Sequence, residues 1–335
     1  MDGRVDPGFL EYDIYCAVKP YLLKDVPKMI RNLVKVVEVE AWSPEIPLDE
    51  EHIHFRNGTY CIADESFTEK KDFCRNRLPV RYSECPPIPE RWLEFLDELF
   101  YTEDIDAIQE YLGYCMIPTN RAQVMLVIVG DGGEGKSRIP LAIRPVFGDS
   151  MNITPIEKLA SDKYTRADQQ DRLLMVDEDM DSEKLPNTGI LKSIVTLEDK
   201  IDLEIKHRQN FQGRLYVRLL AIGNTPLAAL YDKSDGFWRR QLVLKVKPKE
   251  ADRKDDPYLI DKLLKESEGI ARWLVEGLQR LIRNGFQFTI TERMKANMEE
   301  IKKEENNILS FYESTGYIRF EKGTHALTRG PLRSL

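Results

Sequence analysis

The chain has 335 residues, of which 42% are hydrophobic and 32% charged, and its formal net charge at pH 7 is −8. This composition predicts a globular protein long enough for a sizeable core and for two or more domains. The acidic balance argues against a protein that coats nucleic acid with a basic outer face, but it leaves room for one small basic element. No apolar run approaches the roughly 20 residues of a membrane helix, and the N-terminal MDGRVDPG is not a signal peptide, so a cytoplasmic location is expected.

The cysteines and histidines predict neither a disulfide framework nor a zinc site. The five cysteines form no C-x-x-C pair, and they lie at positions 16, 61, 74, 85 and 115. An odd number at irregular spacing suits reduced thiols. The four histidines are scattered through the chain, which does not suit zinc.

The first part of the chain, residues 1–88, is expected to be an α+β region. Its stretch IHFRNGTYCI predicts a β-hairpin with Asn57-Gly58 between two strands. The run PPIP at 86–89 marks a boundary. Residues 89–120 then repeat apolar side chains at helical spacing, as in Trp92, Leu96 and Leu99, and predict a helical collar.

From residue 121 the character changes to a strand-rich α/β core that extends to residue 250. Its apolar strands are expected at 124–129, 173–176, 215–223 and 242–246. A charged helical region is expected over 251–312, and 313–335 is expected to be a truncated tail or the start of a winged-helix domain. The predicted fold class is α/β, with a mainly parallel sheet flanked by helices.

The stretch GDGGEGKS fits two phosphate-binding patterns. As G-x-G-x-x-G, with Gly130, Gly132 and Gly135, it suggests a dinucleotide site. As G-x-x-x-x-G-K-[ST] it predicts a P-loop for ATP and Mg²⁺, with Gly133 among its loop amides. Only the P-loop pattern explains Lys136 and Ser137, because a triphosphate needs a cation near its β and γ phosphates and a hydroxyl for Mg²⁺. The prolines at positions 140 and 145 fall in the helix that follows, and Pro145 is expected to end it early.

Two strands downstream end in polar side chains that suit ATP hydrolysis. The stretch LLMVDE predicts a strand beside the P-loop strand, with Asp177 as a ligand for Mg²⁺ and Glu178 as the base that polarises water. The stretch LLAIGNTP ends in Asn224, which is expected to orient that water. About 15 residues on, FWRRQ supplies Arg239 and Arg240, and an arginine given to a neighbour's γ phosphate is a known way to complete such a site.

A second hairpin is expected between those strands, in IDLEIKHRQNFQGRLYVRLL. Apolar residues alternate around 201–205 and again around 215–219, and the segment between them is basic. It carries Lys206, His207, Arg208 and Phe211. Cations contact phosphate and an aromatic ring stacks on a base or anchors the loop, so these side chains are the predicted DNA-binding residues.

Taken together, GDGGEGKS, LLMVDE, LKSIVTLEDKIDLEIKHRQNF and LLAIGNTP resemble superfamily 3 (AAA+) DNA helicases, in the branch linked to primases of phages, plasmids and mobile islands. The resemblance implies a homo-oligomeric ring, expected to be a hexamer, with ATP·Mg²⁺ between subunits. It further implies single-stranded DNA in the pore, contacted by Lys206 and His207, an arginine finger at Arg239 or Arg240, and a primase or another replication protein as partner. The segment TLEDK departs from the family by lacking its usual glycines.

Two other functions fit part of the pattern. One is an ATP-binding assembly or adaptor protein that recruits replication partners without unwinding, which would have no need for Glu178 and the arginines together. The other is a related AAA+ motor acting on another polymer. A protein remodeller would favour hydrophobic pore loops over the basic segment at 206–208.

Overall fold

The computed structural model describes residues 7–21, 25–40, 46–180, 188–196, 200–206, 210–227, 235–249 and 256–304. The chain divides into two compact units, one up to Ile290 and one from Thr291 onward. All five cysteines are free thiols in the structure. Among the described segments, no helix has both the length and the apolar character needed to cross a membrane.

The first unit begins with two helices and a small sheet. The helices are α1 (Pro7–Val18) and α2 (Val26–Glu40), and the strands are β1 (His52–Phe55), β2 (Gly58–Cys61) and β3 (Ser66–Thr68), paired antiparallel in that order. The predicted hairpin is confirmed, but its turn is Arg56–Asn57, since Gly58 already pairs with Phe55. A Cβ at Gly58 would lie 2.0 Å from the Thr68 carbonyl oxygen, so this glycine is needed for strand packing.

The predicted collar forms two helices, α3 (Glu90–Leu99) and α4 (Ile105–Tyr114). On α3 the large apolar side chains Trp92, Phe95, Leu96 and Leu99 are all buried. The periodicity that predicted this helix therefore follows its buried face.

The core is built around a five-stranded sheet whose strands all run parallel. Its elements in chain order are β4 (Met125–Val129), α5 (Arg138–Phe147), β5 (Met151–Ile153), α6 (Ile156–Ser161), α7 (Lys163–Ala167), β6 (Leu174–Met180), α8 (Gly189–Thr196), β7 (Ile201–Leu203), β8 (Phe211–Gly213), β9 (Arg218–Gly223), α9 (Asp235–Trp238) and β10 (Gln241–Lys245). The sheet order is β10, β4, β9, β6, β5. Every residue of β4 and β9 is buried, as expected for parallel strands covered on both faces.

The α/β fold class is thus confirmed, with three corrections in detail. The strand that carries Asp177 and Glu178 is not beside the strand that leads into GDGGEGKS, because β9 lies between β6 and β4. Pro145 does not end α5 early, since the helix continues to Phe147 with Pro145 inside it. One proline costs the helix a single hydrogen bond, and the buried residues Val146 and Phe147 offset that cost by packing in the core.

The third correction concerns the second hairpin. Strand β7 pairs with β8, so that Ile201 faces Gly213 and Leu203 faces Phe211. The return strand was expected around residues 215–219, but it is β8 at Phe211–Gly213, and Arg218–Gly223 form β9 in the large sheet. The apolar alternation around 215–219 therefore marks entry into the core and not the hairpin.

Helices α10 (Leu259–Lys265) and α11 (Ser267–Arg283) close the first unit. Helix α11 crosses α4 at two glycines. A Cβ at Gly113 would lie 2.2 Å from the Leu274 carbonyl oxygen, and one at Gly277 would lie 2.4 Å from that of Gln109. The two backbones are therefore in direct contact at this crossing. In the second unit, α12 spans Glu292–Glu304.

Candidate functional site

The stretch GDGGEGKS forms a loop between β4 and α5, and we refer to residues 130–137 as the glycine-rich loop. Gly132, Gly133 and Gly135 have φ angles of 108°, 82° and 105°. Residues with a side chain rarely adopt such angles, so the loop needs glycine at these positions. The loop opens at the N-terminus of α5, where backbone N–H groups attract anions.

The glycine-rich loop forms one wall of a cleft of about 630 Å³. Of the predicted site residues, the cleft is lined by Gly132, Gly133, Gly135, Lys136, Ser137, Glu178 and Asn224. Gly130 lies behind the loop, where a Cβ would be 2.4 Å from a methyl carbon of Val246. The structure therefore brings together side chains that are separated by more than 80 positions in the sequence.

Lys136 is held by an acid of the same loop. Its Nζ lies 2.8 Å from Glu134 Oε2, and Glu134 Oε1 accepts a hydrogen bond of 2.7 Å from the Gly132 amide. Both side chains are almost fully buried. Burial opposes ionisation of Glu134, but the bonds from Lys136 and the loop amides outweigh it and hold the pKa of this carboxyl below its usual value.

The far wall of the cleft carries two consecutive acids from the end of β6. Strand β6 pairs with β9 at Asp177–Ala221 and again at Met180–Gly223, so that Glu178 and Asp179 together face the single residue Ile222. This is a β-bulge, and it turns both Glu178 and Asp179 towards the cleft. One carboxylate oxygen of Glu178 is buried without a hydrogen-bond partner.

Asp177, the predicted metal ligand, is not among the residues that line the cleft. Its Oδ2 accepts a hydrogen bond of 2.8 Å from the Ile156 amide at the start of α6. Burial raises the pKa of this carboxyl above its usual value, against the opposing effect of its backbone hydrogen bonds. In the structure, Asp179 stands at the cleft where Asp177 was expected.

Asn224 and Ser137 have free polar groups at the cleft. The Asn224 amide lies 3.8 and 3.9 Å from the position a Cβ would take at Gly132, which places it against the glycine-rich loop. Ser137 precedes the first residue of α5, but its hydroxyl does not cap the helix. A hydroxyl without an internal bond at a helix start is available to a metal ion or phosphate.

The cleft is also lined by residues that were not predicted from the sequence, among them Glu134, Asp179, Asp256 and Leu259. Glu134 and Asp179 lie next to predicted residues and were passed over because the motif letters do not require them. Asp256 and Leu259 come from the charged C-terminal region and gave no signal in the sequence. The Asp256 carboxylate accepts bonds from the Tyr258 amide at 2.9 Å and from Lys262 at 2.7 Å.

The two candidate arginines lie at the amino ends of β4 and β10, whereas the cleft lies at the carboxyl ends of the strands. Gln241 pairs with Met125 at the start of β4, and the Met125 amide donates to the Arg240 carbonyl. Arg239 is exposed, whereas Arg240 is half-buried and donates to the Gly236 carbonyl. The five residues of β4 separate the amino end of this strand, where the arginines lie, from the glycine-rich loop at its carboxyl end by roughly 16 Å.

The predicted DNA-binding residues lie on or beside the β7–β8 hairpin. Lys206 is exposed just after β7, and Phe211 is half-buried at the start of β8. His207 and Arg208 lie outside the described residues. The roles of all four remain predictions.

Two family models match parts of the chain. A model described as D5 N terminal like matches residues 24–101, and one described as a family of unknown function (DUF5906) matches residues 128–240. The second of these covers the glycine-rich loop, both acids of the bulge and the two arginines.

Solved structures share the fold at low sequence identity. An A-form apo structure of the NrS-1 C-terminal region superposes with a TM-score of 0.53 at 14% identity, over 82% of this chain and 66% of that one. Another apo structure of that region gives 0.50 at 15% identity, over 78% and 60%. A JCV helicase bound to an acetamide compound aligns at 16% identity over 67% of this chain and 61% of that one. Its TM-score of 0.35 is too low to support a shared fold. The chain thus spans less than two thirds of these NrS-1 chains. The shared fold confirms the predicted α/β class, and the D5 match covers residues 24–101 alone, so the resemblance to superfamily 3 helicases is taken up as a proposal below.

Proposed function

We propose that the chain is an ATP-dependent DNA translocase of the superfamily 3 type, which hydrolyses ATP and moves a strand of DNA through a ring. The observation that carries the proposal is the Glu178 carboxylate, which faces the glycine-rich loop with a buried, unbonded oxygen. An unsatisfied buried oxygen costs stability, so its retention in a cleft points to chemistry.

The residues present fit ATP and Mg²⁺. Lys136 and the loop amides would hold the phosphates, and Ser137 and Asp179 offer oxygen atoms that suit Mg²⁺. When bound, Mg²⁺ would neutralise charge on the phosphate oxygens. We assign the acidic metal ligand to Asp179, because Asp177 is bonded to Ile156 behind the cleft.

Glu178 and Asn224 have the chemistry to direct water. A carboxylate with a free oxygen accepts a proton from a water molecule as that water attacks phosphorus. Asn224, at the end of the neighbouring strand β9, offers both a donor and an acceptor to orient the same water.

An arginine from another subunit would complete the site. Arg239 cannot reach its own cleft, which begins at the other end of β4 roughly 16 Å away. It is exposed, so it is available to the cleft of a neighbouring copy. This geometry supports a site shared between chains, and it favours Arg239 over the half-buried Arg240 as the finger.

DNA is the proposed polymer because of the β7–β8 hairpin. Lys206 is exposed on a protein whose net charge is −8, and the residues after it, His207 and Arg208, are basic in the sequence. A ring needs positive charge only where the strand passes, so an acidic outer surface is compatible with DNA in the pore.

The first experiment is to measure ATP hydrolysis with and without single-stranded DNA, at low and moderate salt. We expect stimulation by DNA that weakens as salt rises, because phosphate contacts depend on salt. Glu178→Gln should lower the rate roughly 100-fold or more while leaving nucleotide binding intact. Hydrolysis indifferent to DNA would favour a remodeller of another polymer, and binding without hydrolysis would favour an assembly protein.

A further inference from the structure

Asp177 joins the two acids of the cleft to the segment that follows β5. Its Oδ2 accepts the Ile156 amide at 2.8 Å, and its Oδ1 accepts the Asp179 amide at 3.3 Å. One carboxylate therefore holds both the bulge that carries Glu178 and Asp179 and the first residue of α6.

From α6 the connection continues into α7 through short hydrogen bonds. The Asp162 amide donates to the Lys158 carbonyl at 2.8 Å. The Asp162 carboxylate then accepts from the Tyr164 and Thr165 amides at 3.3 and 2.9 Å, which starts α7. We refer to residues 156–167, which contain both helices, as the arm. Its helices have only six and five residues, so the bonds at their ends fix the position of the arm.

The far end of the arm contacts the β7–β8 hairpin. The Tyr164 hydroxyl donates to Glu204 Oε1 at 2.9 Å, and the Glu204 amide donates to the Lys163 carbonyl at 3.3 Å. The guanidinium of the buried Arg166 donates to the Asp202 carbonyl at 3.4 Å. Glu204 lies two residues before Lys206, so the arm is hydrogen-bonded to the hairpin close to the residue proposed to contact DNA.

We propose that Asp177 is a positioning residue that couples the nucleotide cleft to the DNA hairpin through the arm. The inference rests on the proposed function, and it replaces the metal-ligand role expected of Asp177. In this arrangement the acids at the end of β6 have two separate roles. Glu178 and Asp179 face the nucleotide, while Asp177, on the other side of the strand, transmits their displacement to residues 202–204.

Substitutions at Asp177 separate the positioning role from a metal-ligand role. Asp177→Asn keeps an oxygen that accepts the Ile156 amide but removes the charge that a metal ion requires. Asp177→Ala removes both. We expect Asp177→Ala to bring DNA stimulation of hydrolysis towards one and Asp177→Asn to stay closer to wild type. The Mg²⁺ concentration for half-maximal hydrolysis should rise in Asp179→Asn but not in Asp177→Asn.

A substitution at the far end of the arm tests the same connection away from the cleft. Tyr164→Phe removes only the hydroxyl that reaches Glu204. We expect the rate of hydrolysis without DNA to be unchanged and the stimulation by single-stranded DNA to fall. Tyr12→Phe, an exposed tyrosine on α1, is the matched control and should behave as wild type.

Hydrogen exchange gives a readout that does not depend on activity. In the nucleotide-free protein, the Ile156 amide is protected by Asp177. Asp177→Ala should speed its exchange strongly, and Asp177→Asn should speed it less. The buried amide of Val127 in β4 serves as an internal reference for global opening.

The outcomes distinguish this inference from the proposed function. A wild-type protein without DNA stimulation overturns the proposed function, and the coupling with it. A stimulated wild type whose stimulation is unchanged in both Asp177→Ala and Tyr164→Phe overturns the coupling alone. A raised Mg²⁺ requirement in Asp177→Asn would return Asp177 to the metal site. If Asp177→Ala does not fold, Tyr164→Phe and Asp177→Asn decide.

Discussion

Glu134 lies inside the loop that would hold phosphate, where its carboxylate bonds Lys136 and the Gly132 amide. These are the kinds of donor that a bound phosphate uses. The acid therefore competes with phosphate for Lys136, and the nucleotide has to displace a buried ion pair before it gains that contact. If phosphate takes Lys136, the buried Glu134 carboxylate loses its cation, and that loss costs free energy. The ion pair therefore stabilises the loop without nucleotide and lowers the affinity for nucleotide.

Glu134→Gln should strengthen nucleotide binding and weaken the empty protein. We expect the dissociation constant for ADP to fall by roughly tenfold, which is about 1.4 kcal/mol, because Lys136 is no longer paired with an anion. The melting temperature without nucleotide should fall, and ADP should raise it more than in wild type. Calorimetric titration and thermal unfolding measure both effects.

Asp131→Asn is the matched control, since Asp131 is an exposed acid of the same loop. Weaker ADP binding in Glu134→Gln would show that Glu134 supports the loop's shape more than it competes with phosphate.

At the level of single residues, the sequence predicted that the glycine-rich loop and Glu178 lie close together, but it did not indicate that Asp179 lines the same cleft. Simple strand alternation puts Asp177 and Asp179 on one face and Glu178 on the other. The bulge opposite Ile222 changes this, so that Glu178 and Asp179 share the cleft and Asp177 turns to Ile156. A bulge depends on the pairing of β6 with β9, which are distant in the sequence, and local pattern does not contain that information.

Among the elements, the β1–β2 hairpin depends on a carboxylate in the segment before it. Asp49 lies within hydrogen-bonding distance of His52 Nδ1 at 3.0 Å and His54 Nε2 at 2.9 Å, and it accepts the Glu51 amide at 3.1 Å. Partial burial opposes ionisation of Asp49, but these bonds outweigh it and lower its pKa. Because the pKa is lower in the folded state, the stability that Asp49 provides is complete above about pH 4 and is lost as the pH falls further.

Asp49→Asn should therefore lower the melting temperature at pH 6 and have a smaller effect at pH 3, below the usual pKa of an aspartate, where the contribution of Asp49 to stability decreases. Thermal unfolding at the two pH values measures this. Asp64→Asn, in the turn region between β2 and β3, is the control and should show no such pH dependence. An equal effect of Asp49→Asn at both pH values would mean that its charge is not what stabilises the hairpin.

The contact of α4 with α11 gives a sharp prediction for packing. Gly277→Ala would put a methyl group 2.4 Å from the Gln109 carbonyl oxygen, which forces the two helices apart. Overpacking costs about 1–3 kcal/mol, and this outweighs the gain of about 1 kcal/mol from replacing glycine in a helix. Urea unfolding should show a net loss of stability.

The adjacent Glu276→Ala is the control for Gly277→Ala, because Glu276 is exposed and pairs with Arg272 at the surface. Its effect on stability should be small. A gain of stability in Gly277→Ala would mean that the helices separate there without cost.

For the elements as a group, the apolar pattern predicted helices with one buried face and strands buried on both faces. Helix α3 and the wholly buried strands β4 and β9 follow their apolar patterns. The β7–β8 hairpin was assigned the wrong return strand, because β8 has only three residues and none of them is buried. The order of strands in the sheet depends on long-range pairing, which explains why β6 was wrongly expected beside β4.

At the scale of the whole molecule, the cleft lies at the carboxyl ends of the parallel strands and Arg239 lies at their amino ends. We predict that Arg239→Ala and Lys136→Ala are each inactive alone and that mixing them restores part of the hydrolysis. In an equal mixture, about a quarter of the interfaces would join an intact cleft to an intact arginine. Hydrolysis after mixing and re-equilibrating the subunits is the measurement.

Mixing Lys136→Ala with Glu178→Gln is the matched control. Both of these residues belong to the cleft of a single chain, so no interface regains a complete site and no recovery is expected. Recovery in the control, or none in the test pair, would contradict a site shared between chains.

The placement of Arg239 also sets how activity should depend on assembly. If Arg239 of one subunit meets the cleft of the next, two different surfaces are in contact, which is a head-to-tail arrangement. Such contacts either close into a ring or continue as an open chain. An open assembly of n subunits has n − 1 complete sites, whereas a closed ring has n, and a lone subunit has none. Hydrolysis per subunit should therefore rise with protein concentration until rings close and then become constant, so that dilution alone would abolish it.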